Sequence, residues 1–222
     1  SGVYRMWFQH MDINRIPFYQ YNTIIVGTGA AGLNAAVTLH KLGQKNIALI
    51  TEGRYMGTSR NTGSDKQTYY KMTQCGSEPD SVRKMAKTLF EGGCVDGDIA
   101  MAEAAGSLRA FYHLVDIGVP FPFNKSGEYV GYKTDHDPLK RGISAGPLTS
   151  KYMTECLERQ AEERGIPFFD GYQAVRLLTE EKDGEKRAAG IIALNKQKAA
   201  SPDERYAVFS AVNIIWATGG EA

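Results

Sequence analysis

The chain has 222 residues, 42% hydrophobic and 23% charged, the balance of an ordinary globular protein with room for one sizeable domain or one and a half. Lys and Arg number 26 against 25 Asp and Glu, a net charge of +1, and no long block of one sign appears, which sets nucleic acid aside as a partner. No stretch reaches the roughly 18 apolar residues that a membrane span needs.

The three cysteines, Cys75, Cys94 and Cys156, form no C-x-x-C. They indicate neither a redox dithiol nor a thiolate metal site, so no metal is expected. An odd, sparse count with no signal-peptide pattern fits free thiols in a reducing compartment, and a cytoplasmic location is expected by default.

Residues 1–20 mix Trp7, Phe8, Phe18 and Tyr19 with Arg5, Asp12 and Arg15 and read as an amino-terminal arm ahead of a domain over 21–222. Thr23-Ile24-Ile25-Val26 has the β-branched pattern of a buried parallel strand. Glycines follow at once, and Ala31, Ala35, Leu39 and Leu42 then recur at helical spacing up to Gly43. Ile47-Ala48-Leu49-Ile50 is a second strand, which makes a βαβ unit.

Residues 53–77 are polar and aperiodic, the mark of a functional loop. Helices are predicted over 79–90 and 98–117, an irregular stretch over 120–147, a helix over 148–164 and a short strand over 166–169. Three strands, 172–179, 188–194 and 205–209, read as an antiparallel meander, with Lys182-Asp183-Gly184 as a hairpin turn. Asn213-Ile214-Ile215-Trp216-Ala217 returns to the buried-strand pattern and runs into Thr218-Gly219-Gly220.

The chemistry sits in Gly27-Thr28-Gly29-Ala30-Ala31-Gly32. Gly27 permits the sharp strand-to-helix turn, Gly29 clears the approach of a pyrophosphate to the backbone, and Gly32 lets the helix pack on the strand. The small Ala30 and Ala31 keep the surface low, and the N–H groups at the positive helix start face the anion. Glu52 lies 20 residues beyond Gly32 at the end of the second strand, placed to accept hydrogen bonds from a ribose. No basic residue directly follows Glu52; Arg54 lies two further on. These residues define a dinucleotide site without choosing between NAD and FAD.

The order of elements points to FAD. A long polar loop, helices, a three-stranded meander and a returning strand follow the βαβ unit, as in FAD domains of the glutathione-reductase type. The fold class is therefore α/β, a Rossmann-like parallel sheet with a β-meander. More closely, the sequence resembles the flavoprotein subunits of fumarate reductase and succinate dehydrogenase, and L-aspartate oxidase. The resemblance rests on residues 24–36, Ile50-Thr51-Glu52, Gly118-Val119-Pro120-Phe121, 165–169 through 190–194, and 214–220.

The resemblance implies an FAD-dependent oxidoreductase acting on a small molecule such as a dicarboxylate, with an electron-transfer subunit as a partner. Gly57, Thr58 and Ser59 would contact the pyrophosphate and flavin, and Thr62, Gly63 and Ser64 would lie along the isoalloxazine. Ala174 would meet the adenine through its backbone, and Thr218 and Gly219 would form a second phosphate-side turn. Respiratory members attach FAD through a histidine in the loop after the ribose acid, but residues 53–77 hold none, so non-covalent FAD is expected. His136, in the irregular stretch, is a weaker candidate for a flavin or substrate contact.

The family's proton-donating arginine and dicarboxylate-binding residues come from later segments, so no catalytic residue is assigned. The chain reads as an amino-terminal fragment without the capping domain. The alternative reading is a non-catalytic dinucleotide-binding or electron-transfer fragment.

Overall fold

The computed structural model describes residues 13–65 and 67–220. They fall into two compact units, one containing residues up to Asn61 together with Leu157 onward, the other Thr62 to Cys156.

The first unit is built on a six-stranded sheet. Its strands are β1 (Phe18–Val26), β2 (Ile47–Thr51), β5 (Phe168–Asp170), β6 (Tyr172–Lys182), β7 (Glu185–Asn195) and β8 (Tyr206–Trp216), in spatial order β5-β2-β1-β8-β7-β6. The pairs from β5 to β8 are parallel, and β8-β7 and β7-β6 are antiparallel. Helix α1 (Ala30–Lys41) crosses from β1 to β2 and buries Gly32, Leu33, Ala36 and Val37 against the sheet; the stripe expected at Ala31, Ala35, Leu39 and Leu42 is not the buried one, since Ala31 and Leu42 are exposed and Ala35 and Leu39 only half-buried.

The opposite face holds Ile24, Val26, Ile50, Ile191, Phe209 and neighbouring alanines. There the rings of Tyr19, Phe169 and Phe209 meet with centroids 4.7 to 5.0 Å apart, the spacing at which aromatic pairs add to simple burial.

Two expectations change here. β1 begins at Phe18, so residues 18–20 belong to the sheet rather than to an arm; Ile13–Arg15 form a single 3-10 turn, and residues 1–12 lie outside the described residues. The third meander strand and the returning strand, expected as separate segments at 205–209 and 213–217, are one eleven-residue strand. β8 pairs with β7 through Ser210 and with β1 from Val208 to Trp216. The chain changes neighbours without breaking, and the Ser210 hydroxyl within it donates to the Ala189 carbonyl at 3.5 Å. The predicted hairpin is present: Asp183 and Gly184 have φ of 54° and 80° between the paired Lys182 and Glu185, as a two-residue type I′ turn requires.

The second unit holds two short strands and two helices that pack on one another. Its elements are β3 (Tyr69–Tyr70), α3 (Val82–Glu91), α4 (Gly97–Asp116) and β4 (Gly142–Ile143); the one-turn helix α2 (Thr58–Asn61) ends the preceding segment of the first unit. Met85 and Ala86 of α3 pack on Ala100 and Ala104 of α4. Helix α5 (Thr149–Glu163) begins in this unit and ends in the first.

α3 starts at Val82 rather than at residue 79. Ser81 caps it by accepting from Lys84 N–H, because the Asp80 carboxylate is engaged elsewhere. Arg141 donates to both Asp80 oxygens, at 2.9 and 2.7 Å, and further to Tyr70, Thr88 and Asp137. The Arg141 and Asp80 side chains are each 1% exposed. Burial alone would raise the Asp80 pKa; the bonds from Arg141 and from the N–H groups of Thr73 and Ser81 outweigh it and hold the carboxyl below its ordinary value.

A carboxyl with a depressed folded pKa stabilises the fold above its unfolded pKa of about 3.9 and loses that contribution as pH falls through the folded value. Urea unfolding at a series of pH values should therefore show stability dropping below about pH 4. Asp80→Asn, which leaves the buried Arg141 undercompensated, should lose roughly 3–5 kcal/mol at neutral pH and show a flatter acid dependence.

Candidate dinucleotide site

The strand-to-helix turn after β1 is set by two close approaches. Gly27 has φ +113°, and a Cβ there would stand 2.2 Å from the Ala217 carbonyl oxygen. A Cβ on Gly32 would stand 2.1 Å from the Gly27 carbonyl oxygen. Both glycines are thus required by the chain itself, one by β8 and one by the turn.

Gly29 is different. It has extended backbone, φ −75° and ψ −177°, and a Cβ would meet only the Ser59 hydroxyl at 3.4 Å. Packing tolerates a methyl group there, so the fold itself does not demand the bare backbone at 29.

The first intrahelical bond of α1 runs from Leu33 N–H to the Gly29 carbonyl at 3.0 Å, which leaves the N–H groups ahead of it to other acceptors. Ser59 Oγ accepts from Ala30 N–H at 3.3 Å. A Cβ on Gly57 would stand 3.8 Å from Gly29 Cα. The segment Gly57-Thr58-Ser59 is therefore folded against the glycine loop. The buried Thr28 hydroxyl donates to Thr51 Oγ1 at 3.1 Å and ties the loop to the end of β2.

Glu52 follows directly, at the carboxyl end of the parallel strands, where nucleotides bind in open α/β sheets. Lys196 Nζ donates to Glu52 Oε1 at 2.8 Å, with the side chains 43% and 44% exposed. So solvated a pair is worth at most about 1 kcal/mol, and the carboxylate retains its second oxygen for further donors. Lys196, in the 3-10 turn that follows β7, comes from 144 positions away. Arg54, the nearer candidate in sequence, turns away to Glu158 and Glu162.

Ala174 lies in β6, paired with Ala193 beside a register shift, and Thr218 and Gly219 follow β8, with Thr218 N 3.3 Å from the Cβ position of Gly27. The first unit thus assembles Gly27, Gly29, Ala30, Ala31 and Gly32 with Gly57, Thr58, Ser59 and Thr218, and sets Glu52 at the end of the adjoining strand.

Thr62, Gly63 and Ser64 belong to the second unit. There Ser64 N–H donates to the Pro147 carbonyl at 3.0 Å, and Gln67 holds the segment to α5 by donating to Ser150 Oγ at 2.7 Å and accepting from Ser150 N–H at 2.9 Å. Their role as flavin contacts rests on the resemblance. His136 is exposed in the same unit. Among the described residues no group of three or more His, Cys, Asp or Glu is placed to hold a metal ion, and no helix is long and apolar enough to cross a membrane.

A profile of the FAD binding domain family matches residues 22–221, and the chain belongs to that family. It is 29% identical to an L-aspartate oxidase of Pseudomonas aeruginosa over 195 residues, covering 81% of this chain and 34% of that protein. It is 26% identical to the 8-methylmenaquinol:fumarate reductase flavoprotein subunit of Wolinella succinogenes, covering 99% and 35%. Mycobacterium smegmatis Sdh1 shares the fold with a TM-score of 0.78 at 18% identity, over 92% of this chain and 35% of that one. The chain spans about a third of the length of the curated relatives it matches.

Residues 27 and 29 make separable predictions for folding. Gly27→Ala should lower the urea midpoint by the equivalent of roughly 1–3 kcal/mol, the magnitude of a strained backbone residue. Gly29→Ala should stay within about 0.5 kcal/mol of the parent.

Proposed function

We propose that the first unit holds the ADP part of FAD, and that the chain is the cofactor-binding portion of an FAD-dependent oxidoreductase acting on a small acid such as a dicarboxylate. The observation that carries the reading is the bare backbone at Gly29 beside the amino-terminal end of α1, together with Glu52 at the end of β2. The pyrophosphate would take the N–H groups of Ala30, Ala31 and Gly32, displacing the Ser59 hydroxyl from Ala30 and leaving that hydroxyl as a further donor.

Glu52 would accept from the adenosine ribose. Gly57, Thr58, Thr218 and Gly219 would line the phosphates, and the Ala174 backbone would meet the adenine. When bound, the flavin supplies the two-electron chemistry; this chain's residues supply binding and orientation. The dicarboxylate class is supported by the names of the relatives, fumarate reductase and L-aspartate oxidase, and the electron-transfer partner by the description of the former as a flavoprotein subunit.

Purified protein should be yellow, with the visible bands of oxidised flavin, and acid precipitation should leave all of the colour in the supernatant, as non-covalent attachment requires. Colourless protein that takes up NAD but not FAD would overturn the flavin reading. Glu52→Ala should weaken FAD binding by roughly 10- to 100-fold, the loss of a charged hydrogen-bond acceptor. Gly29→Ala should weaken binding comparably while folding normally. Isothermal titration of the apoprotein measures both.

A further inference from the structure

Arg54 and Arg60 flank the segment that folds over the glycine loop, and both are directed at one carboxylate. Arg54 Nε donates to Glu158 Oε1 at 2.5 Å, and Arg60 Nη2 donates to Oε2 of the same residue. The two arginine side chains are 17% and 13% exposed and Glu158 is 11% exposed, so these charge-assisted bonds are largely shielded from water. Arg54 is fixed further: its backbone N–H donates to Asp170 at 2.8 Å, its guanidinium lies 3.9 Å from the centroid of the Phe168 ring, and its Nη2 donates to Glu162. Glu158 and Glu162 stand one helical turn apart on α5 and so share a face.

Between the arginines lie Tyr55 to Ser59, a loop that runs into the one-turn helix α2 at Thr58. Their internal support includes Asn61 Nδ2 donating to the Tyr55 and Gly57 carbonyls. A short segment of this kind would have to be ordered each time a ligand bound, and prior ordering removes that entropic penalty.

We propose that Glu158 is the positioning residue of this segment: a single carboxylate clasps both of its ends, holds Gly57-Thr58-Ser59 against the start of α1, and thereby sets the affinity for FAD. The proposal rests on the FAD reading above for its ligand, though not for the clasp itself. Glu158 does not touch the cofactor; it acts through Arg54 and Arg60. Glu162, 53% exposed and bonded to Arg54 alone among the two, contributes little.

The test compares Glu158→Gln, which keeps size and loses charge, with Glu162→Gln in the complete chain. Trypsin cuts after arginine, so the rate of cleavage after Arg54 and Arg60 reports local opening directly. Glu158→Gln should be cut at these bonds at least about fivefold faster than the parent in the apoprotein, and its FAD dissociation constant should rise about tenfold. Apoprotein circular dichroism should be unchanged, and Glu162→Gln should stay within about twofold in both measurements.

Unchanged cleavage and FAD affinity in Glu158→Gln would overturn the proposal, as would an equal effect from Glu162→Gln. Should Glu158→Gln not fold, Arg60→Gln releases one end only while Arg54 keeps both carboxylates. An FAD dissociation constant raised about threefold would then support the clasp, and an unchanged one would refute it. If the parent chain failed to bind FAD, the functional reading would fall, while the cleavage rates would still decide the clasp.

Discussion

The carbonyl oxygen of Ala217 occupies the space where any side chain on residue 27 would begin, 2.2 Å from an ideal Cβ. That approach exists because β8 pairs with β1 in parallel as far as Val26 and Trp216, and Ala217 N–H then donates to the Val26 carbonyl at 2.8 Å. The end of β8 and the turn out of β1 therefore form one surface. Gly32 repeats the constraint one turn into the helix, where the Gly27 carbonyl seats the base of α1. With both contacts made, the axis of α1 and the direction of its first N–H groups follow, and with them the positive end of the helix dipole beside the glycine loop.

Charge is managed differently in the two units. In the second, the guanidinium of Arg141 is surrounded by Asp80, Asp137, Tyr70 and Thr88, and its charged side chains are at most 2% exposed. Breaking such a set exposes a buried ion to an apolar surround, which is why its members act as a unit in stability. In the first unit the cluster is open at its edge. Glu158 is shielded, but Glu162 reaches solvent, so Arg54 retains a partner when one is removed. A cluster with a solvated member suits a loop that must hold its shape without anchoring the whole fold.

Much of the site was legible because its signals are local. The strand, glycine loop, helix and second strand obey short-range rules: β-branched runs, helical spacing, and glycine where a carbonyl lies too close for Cβ. Glu52 at the end of β2 could be placed by counting along the chain. The type I′ hairpin at Asp183-Gly184 was equally readable, since it needs two left-handed residues in succession.

Element boundaries that depend on partners far away in sequence were misplaced. Asp80 belongs to Arg141 rather than to a helix start, and Ser210 sits within a strand because β7 and β1 flank it. By itself the sequence determined the dinucleotide motif, the α/β class and the identity of the ribose acid candidate, all encoded in backbone stereochemistry over a few residues. Only the tertiary structure decided that Lys196 meets Glu52, that Arg54 turns to α5 instead, and that Glu158 receives both arginines. Those contacts join residues 98 to 144 positions apart, and no local rule of spacing or propensity records which distant charges a fold will bring together.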